Sequence, residues 1–247
     1  DFNYISIKNI KDVDNNHNTI LLAACILSDA YMVKKLLSHD NINVNQYSRQ
    51  NANSPLIIAV KKKNLEIVKL LVEFPKTNIN QRNNNGETAL LIAAKLELSD
   101  IVEVLIKCDR FDPEESRFED AFFISRWKIM RILISSKFFD INNISISLLS
   151  TAVQNRDIEI VDIIISSPIF NKILTENSIT NEIIYSINNH SFEIFQKLIN
   201  LVGNDVNICD SKNNSILIHA ARCLNEQVID YILNDEKFDP KRNDILS

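Results

Sequence analysis

The chain has 247 residues, of which 45% are apolar, 27 are basic and 32 are acidic, giving a formal net charge of −5. That apolar share provides for a substantial buried core and excludes disorder by composition. The acidic balance excludes a general polyanion binder, which needs a concentrated basic surface.

Ile and Asn supply 39 and 32 positions, while Gly is confined to Gly86 and Gly203. Two glycines cannot build phosphate-cradling loops. No uncharged run approaches the ~20 residues that span a bilayer, and no basic-then-apolar signal sequence opens the chain.

Taken in order, the elements are paired short helices repeated seven times. Thr19 opens the first pair, with Ala24 and Val33 inside it. Ser54 opens the second as an N-cap, with Pro55 at the first helical position and Leu56, Ala59 and Val60 on one face. A tight turn at Lys63-Asn64 leads into Leu65–Leu71. Thr88–Ala94 and Asp100–Ile106 repeat this frame. It returns at Ser116 with Ala121 and Ile129, and at Ser147 with Ala152 and Ile160. Asn181 with Ser186 and Ile194, then Ser215 with Ala220 and Val228, complete the series. One such hairpin cannot bury its apolar face alone, whereas stacked neighbours make a continuous core.

This pattern resembles the ankyrin repeat family, whose signature runs G-x-T-P-L-H-x-A-A, then G-H-x-E-I-V-x-L-L-L, then D-V-N. Gly86 with Thr88-Ala89-Leu90, Ser54-Pro55-Leu56, Glu66–Leu71 and Asp205-Val206-Asn207 carry the likeness. The Ile/Asn-rich flavour is similar to ankyrin proteins encoded by AT-rich protist genomes. The tetratricopeptide alternative lacks its Trp, Gly and Tyr positions here. The resemblance implies an all-α solenoid of stacked helix-turn-helix repeats with short β-hairpin or loop fingers. The expected arrangement is a single array over 1–247, with repeats near 12–46, 47–80, 81–114, 115–142, 143–173, 174–207 and 208–241.

Two departures stand out. The glycine between the helices is replaced at Ser28, Lys63, Glu97, Ser125, Arg156, His190 and Leu224. Looser turns or a shifted left-handed position are expected, with nearby Asn64, Asn155, Asn189 and Asn225 tolerating that region best. The family's T-P-L-H histidine is absent from every copy, so its hydrogen bonds must be lost or made otherwise.

The distance from the key small residue to the Asn position of D-V-N is 21 residues in five copies, from Ala24 to Asn45 or from Ala220 to Lys241 for example. The following loop varies and falls to 7 residues after Glu114. Repeat 4 therefore cannot form a full finger, and it divides the ridge into blocks 1–114 and 143–247. Asp1–Ile7 mirrors Asp140–Ile146, and Phe238–Asn243 enters a further repeat, so the sequence reads as a segment of a longer array.

Catalytic signals are missing: no P-loop, G-x-S-x-G or H-E-x-x-H occurs. His17, His39, His190 and His219 fall at unrelated repeat positions, and a His219–Cys223 pair is outweighed by their structural repeat positions. Cys25, Cys108, Cys209 and Cys223 form no metal-ligand or disulfide pattern, which suits reduced thiols in an intracellular, cytoplasmic protein.

The expected function is therefore a non-enzymatic interaction scaffold or adaptor with a protein partner. No cofactor, metal, small-molecule substrate, nucleic acid or membrane insertion is expected. Carried over by position, the binding ridge comprises Tyr47, Arg49, Asn51, Lys61, Lys62, Arg82, Asn84, Lys95, Asp210, Lys212 and Arg222. Phe123 is the hydrophobic-anchor candidate. Arg117, Arg126, Lys128 and Arg131 add a local positive bias. A structural role in a large assembly such as the cytoskeleton, or a regulatory array within a longer enzyme or channel, are the alternatives.

Overall fold

The structure is a computed structural model that describes residues 19–39, 41–170, 172, 174 and 178–240. His17, the Asp1–Ile7 segment and Lys241–Asn243 lie outside the described residues. Two compact units divide the chain, Asp1–Phe138 and Phe139–Ser247.

In the first unit the helices are α1 (Ile20–Ile26), α2 (Ala30–Leu37), α3 (Pro55–Lys61), α4 (Leu65–Glu73), α5 (Ala89–Lys95), α6 (Ser99–Ile106), α7 (Phe118–Ile124) and α8 (Trp127–Ile134). The second unit holds α9 (Ile146–Gln154), α10 (Ile158–Ile165), α11 (Thr180–Asn188), α12 (Phe192–Leu201), α13 (Ile216–Arg222) and α14 (Glu226–Leu233). Among the described residues there is no strand; the finger at 208–215 carries one isolated bridge, Cys209 to Ser215.

The first helix of each pair packs on the first helices beside it, giving the rows α1-α3-α5-α7 and α9-α11-α13. Second helices follow as α2-α4-α6-α8 and α10-α12. Ala59, Ala93, Ala121, Ala152 and Ala220 are fully buried in the first rows, where a larger side chain would push neighbouring helices apart. Ile and Leu fill the seams; Leu56, Ile67, Leu71, Leu90 and Leu105 are essentially without solvent contact. Each such side chain contributes ~1.5–3 kcal/mol on burial. Three rings, Phe111, Phe118 and Phe138, close the apolar space beside repeat 4, with Phe111 and Phe138 centroids 5.0 Å apart.

Helix starts follow side-chain capping. Thr19, Ser54, Thr88 and Ser215 accept the backbone N–H three residues on. In the fifth repeat the cap is Ser145 rather than Ser147, so α9 begins two residues before the expected frame. Asn181 lies inside α11, which has no side-chain cap.

The inter-helix turns correct the expectation drawn from missing glycines. Ser28, Lys63, Glu97, Arg156, His190 and Leu224 all sit unshifted in the left-handed region, with φ between 54° and 60°. Two backbone bonds hold each of them there. The next residue's N–H reaches back to the key small residue's carbonyl (Asn64 to Ala59, 3.1 Å), and the left-handed residue's N–H bonds one position later (Lys63 to Val60, 2.9 Å).

The neighbouring Asn residues do not take the left-handed conformation. Asn64 and Asn225 are N-caps of α4 and α14, and Asn155 and Asn189 are ordinary C-caps with negative φ. Ser125 alone of the seven is extended, at φ −78° and ψ 146°. Its hydroxyl donates to the Ala121 carbonyl and so replaces the backbone bond made elsewhere.

A left-handed residue with a Cβ costs ~1–2 kcal/mol, partly offset by the greater chain entropy of glycine. Lys63→Gly, Glu97→Gly and Leu224→Gly should each raise stability by about 0.5–1 kcal/mol, whereas Ser125→Gly should lower it. Urea midpoints at unchanged slope measure this, and a gain at Ser125 equal to the others would contradict it.

Asparagine also joins successive repeats. The Asn45 side chain donates to the Lys76 carbonyl and accepts the Asn78 N–H, both at 2.7 Å. Asn80 does the same to Arg110 and Asp112 at 3.1 Å, and Asn207 to Lys237 and Asp239 at 2.7 and 2.9 Å. The constant 21-residue spacing thereby places an amide where it can read the backbone of the next repeat.

Where the family's histidine would stand, Leu22, Ile57 and Leu91 are buried among apolar neighbours. Ser150 instead donates to the Glu182 carboxylate of the following first helix.

Candidate functional site

Between the second finger and the ends of α1 and α3 lies an open cavity of about 280 Å³. Arg49, Gln50 and Asn51 of the finger and Lys61 and Lys62 at the end of α3 line it, with Ile26 and Ile58 contributing apolar surface. The finger is shaped by two backbone bonds, Ser48 N–H to Asn53 (3.0 Å) and Ala52 N–H to Ser48 (2.9 Å), with Ala52 left-handed at φ 52°. Four of the expected ridge residues, Arg49, Asn51, Lys61 and Lys62, therefore meet at one concavity. No acidic residue lines it among the described residues.

A polar chain runs from this cavity to the next finger. Lys61 donates to Asn53 (3.2 Å), whose carbonyl oxygen also accepts from Asn83 (3.1 Å); Asn83 in turn donates to Glu87 (3.1 Å), which pairs with Lys95 at 2.8 Å. Asn53 and Asn83 are buried, and both were missed in the sequence. They look like solvated finger residues until the neighbouring finger is in place. The Glu87 carboxyl is held below the usual carboxylate range by the hydrogen bonds from Lys95 and Asn83, with the Lys95 and Lys61 charges adding to them.

Other ridge candidates are partly committed to the fold. Arg82 donates to the Glu114 and Glu115 carbonyls at 3.1–3.4 Å and so secures the next loop. Asn84 bonds the Gln50 and Asn51 carbonyls of the preceding finger. Tyr47 is half exposed beside the finger, and Phe123 is 67% exposed at the end of α7, in edge-to-face contact with Phe122. Phe122 itself is buried.

Repeat 4 replaces a finger by a tight turn at 112–117, where the Asp112 carboxylate accepts the Glu114 and Glu115 N–H groups. Its positive bias is offset in two places, because Arg117 pairs with Asp120 at 2.7 Å and Arg126 with Glu97 at 2.9 Å.

In the second unit Asp210 and Lys212 lie in the finger at 208–215 and Arg222 at the end of α13. Asp210 accepts the Asn214 backbone and side-chain N–H groups, the Lys212 N–H and His219 Nε2. These bonds, Asn214's first, hold its carboxyl well below the usual carboxylate range. Asp210 thus organises the turn, and Arg222 donates to Asn214 at 3.3 Å. Lys212 is exposed at the tip.

The Cys223 thiol faces the Ile187 and Ala220 carbonyls while His219 faces Asp210, so the two do not form a nucleophile–base pair. Cys25 is buried, which pushes its thiol up to about 12. Among the described residues no cluster of three His, Cys, Asp or Glu could hold a metal, and no helix is long and apolar enough to cross a membrane.

Residues 32–116 match the family described as ankyrin repeats (3 copies). An ankyrin repeat protein of Acanthamoeba polyphaga mimivirus is 37% identical over 41% of this chain. The human transient receptor potential cation channel subfamily A member 1 is 33% identical over 41%, and alpha-latroinsectotoxin-Lt1a of Latrodectus tredecimguttatus 30% over 38%. The chain spans only 13%, 9% and 6% of the length of these relatives. The solved ankyrin repeat domain of Bcl-3 is similar at a TM-score of 0.48 and 17% identity, over 85% of this chain and 98% of that one. Residues 32–116 of the chain are thus ankyrin repeats. Ankyrin repeats are protein-interaction modules, and theirs is a non-enzymatic fold.

Proposed function

We propose that this chain is an interaction scaffold or adaptor, working in the cytoplasm, that holds a protein partner on the finger and first-helix face of its first unit. The observation that carries this reading is the cavity at which Arg49, Asn51, Lys61 and Lys62 meet beside Ile26 and Ile58. Cationic side chains beside apolar surface suit a specific protein contact, because aromatic and apolar anchors supply the energy and the charges fix register.

Arg82 and Lys95 make poor test positions, since changing them also disturbs the fold. The informative variant combines Tyr47→Ala, Arg49→Glu and Lys62→Glu, all exposed positions. It should keep wild-type helicity and stability to within about 0.5 kcal/mol and lose at least ~10-fold in affinity for a partner isolated from native extract. Full binding by this variant would remove the face from consideration.

A second reading has one observation behind it, the likeness to the human cation channel over 103 residues. In that reading the repeats form a regulatory array within a longer chain. The complete reading frame separates the two, through the presence or absence of membrane-spanning segments beyond this region.

A further inference from the structure

The side chains two residues after the key alanines form a row across the first unit: Ile26 on α1, Lys61 on α3, Lys95 on α5 and Phe123 on α7. These helices are successive neighbours. All four side chains reach solvent; Ile26 is 38% and Phe123 67% exposed, Lys95 half so. The row therefore reads apolar, cationic, cationic, apolar. Leu27, Leu96 and Ile124, one residue further on, add exposed apolar surface beside both outer members and Lys95.

Packed helices lie ~8–10 Å apart, and an extended chain advances ~3.3 Å per residue. An extended segment crossing the row thus meets one step about every three residues. We propose that the partner presents an extended acidic, amphipathic segment of about ten residues, with an apolar residue at each end and two carboxylates between them, each about three residues apart. This rests on the interaction reading above.

The carboxylates meet Lys61 and Lys95, with Lys62 and Arg49 beside the first. Lys61 bonds a neutral amide and acts on Glu87 only at a distance, whereas Lys95 pairs with Glu87 directly. The Lys61 step should therefore contribute more. A nucleic acid, which needs cations along its whole length, is disfavoured by the apolar ends of the row and by the chain's net charge of −5.

The test displays random decapeptides on phage against the full chain, with selection at low and high salt. The expected winners carry two acids about three residues apart between apolar residues. They should weaken at least ~10-fold on Lys61→Glu and on Phe123→Ala, and should weaken as salt rises. Lys61→Gln, which removes the charge but can still bond Asn53, should weaken them as well, and circular dichroism checks that each variant is folded.

Neutral or basic winners that are still lost on Phe123→Ala would overturn the acidic segment while keeping the protein-binding face. No enrichment over bare matrix, or winners indifferent to both variants, would overturn the proposal and the face together. Tighter binding of a labelled single-stranded oligonucleotide than of the peptides, lost on Lys61→Glu, would overturn the proposal in favour of nucleic acid.

Discussion

Phe195→Ala is expected to destabilise the second unit by about 4 kcal/mol, within the range for emptying a fully buried aromatic site. The Phe195 ring has no solvent exposure, stacks on Phe192 at 6.1 Å and meets Tyr231 of α14 edge-on at 5.5 Å. It therefore holds α12 to the pair that follows, and its removal costs transfer energy, ring contacts and a void that the short helices cannot close. Phe195→Leu keeps most of the volume without the ring geometry and should cost about 1–2 kcal/mol. Urea denaturation followed by circular dichroism measures both, and a loss below ~1 kcal/mol for the alanine variant would mean that the site collapses freely.

Arg110→Ala should cost the first unit about 2–3 kcal/mol, by a different mechanism. Most second helices end in a helical cap, as at Ser38, Lys107 and Ser135. Helix α4 cannot, because Pro75 forces the preceding Phe74 into extended backbone, at φ −72° and ψ 120°. Its last carbonyls would be left without partners. The Arg110 guanidinium, from the next repeat, donates to Phe74 (2.9 Å), Pro75 (2.6 Å) and Thr77 (3.0 Å), and also to Val72. A cation at the negative end of the helix dipole adds to this. Arg110→Lys should recover about half of the loss, since one ammonium cannot serve carbonyls spread along the turn. Equal losses for alanine and lysine would mean that only the fork geometry matters; no loss for lysine would mean that charge alone suffices.

The helix pairs were legible because their signals are local: hydrophobic spacing, a capping Ser or Thr, and a small residue at the seam. The same local signals misplaced the start of α9, because Ser145 and Ser147 are both plausible caps and sequence alone does not choose between them. They also suggested that the turns without glycine would loosen, whereas two backbone bonds per turn retain the left-handed residue. What stayed hidden joins residues some 30 positions apart, such as Arg110 with Phe74 or Asn53 with Asn83. Nothing in the immediate neighbourhood of these residues announces a partner in the adjoining repeat. For the same reason Arg82 read as a free ridge residue, although it holds the Glu114 and Glu115 carbonyls of the next loop; Lys95 did so too, although its partner Glu87 stands in the same repeat.

The asparagine joints bear on how such a chain can change. Asn45, Asn80 and Asn207 each recognise a carbonyl and an N–H of the following repeat, atoms that every residue but proline supplies. The joint is therefore blind to the side chains it secures. A unit duplicated, removed or exchanged between two such joints meets the same coupling on either side, and the surface it carries can diversify without renegotiating its attachment. Recombination of whole repeats, rather than gradual remodelling of one binding face, is the route to new specificity that this architecture leaves open.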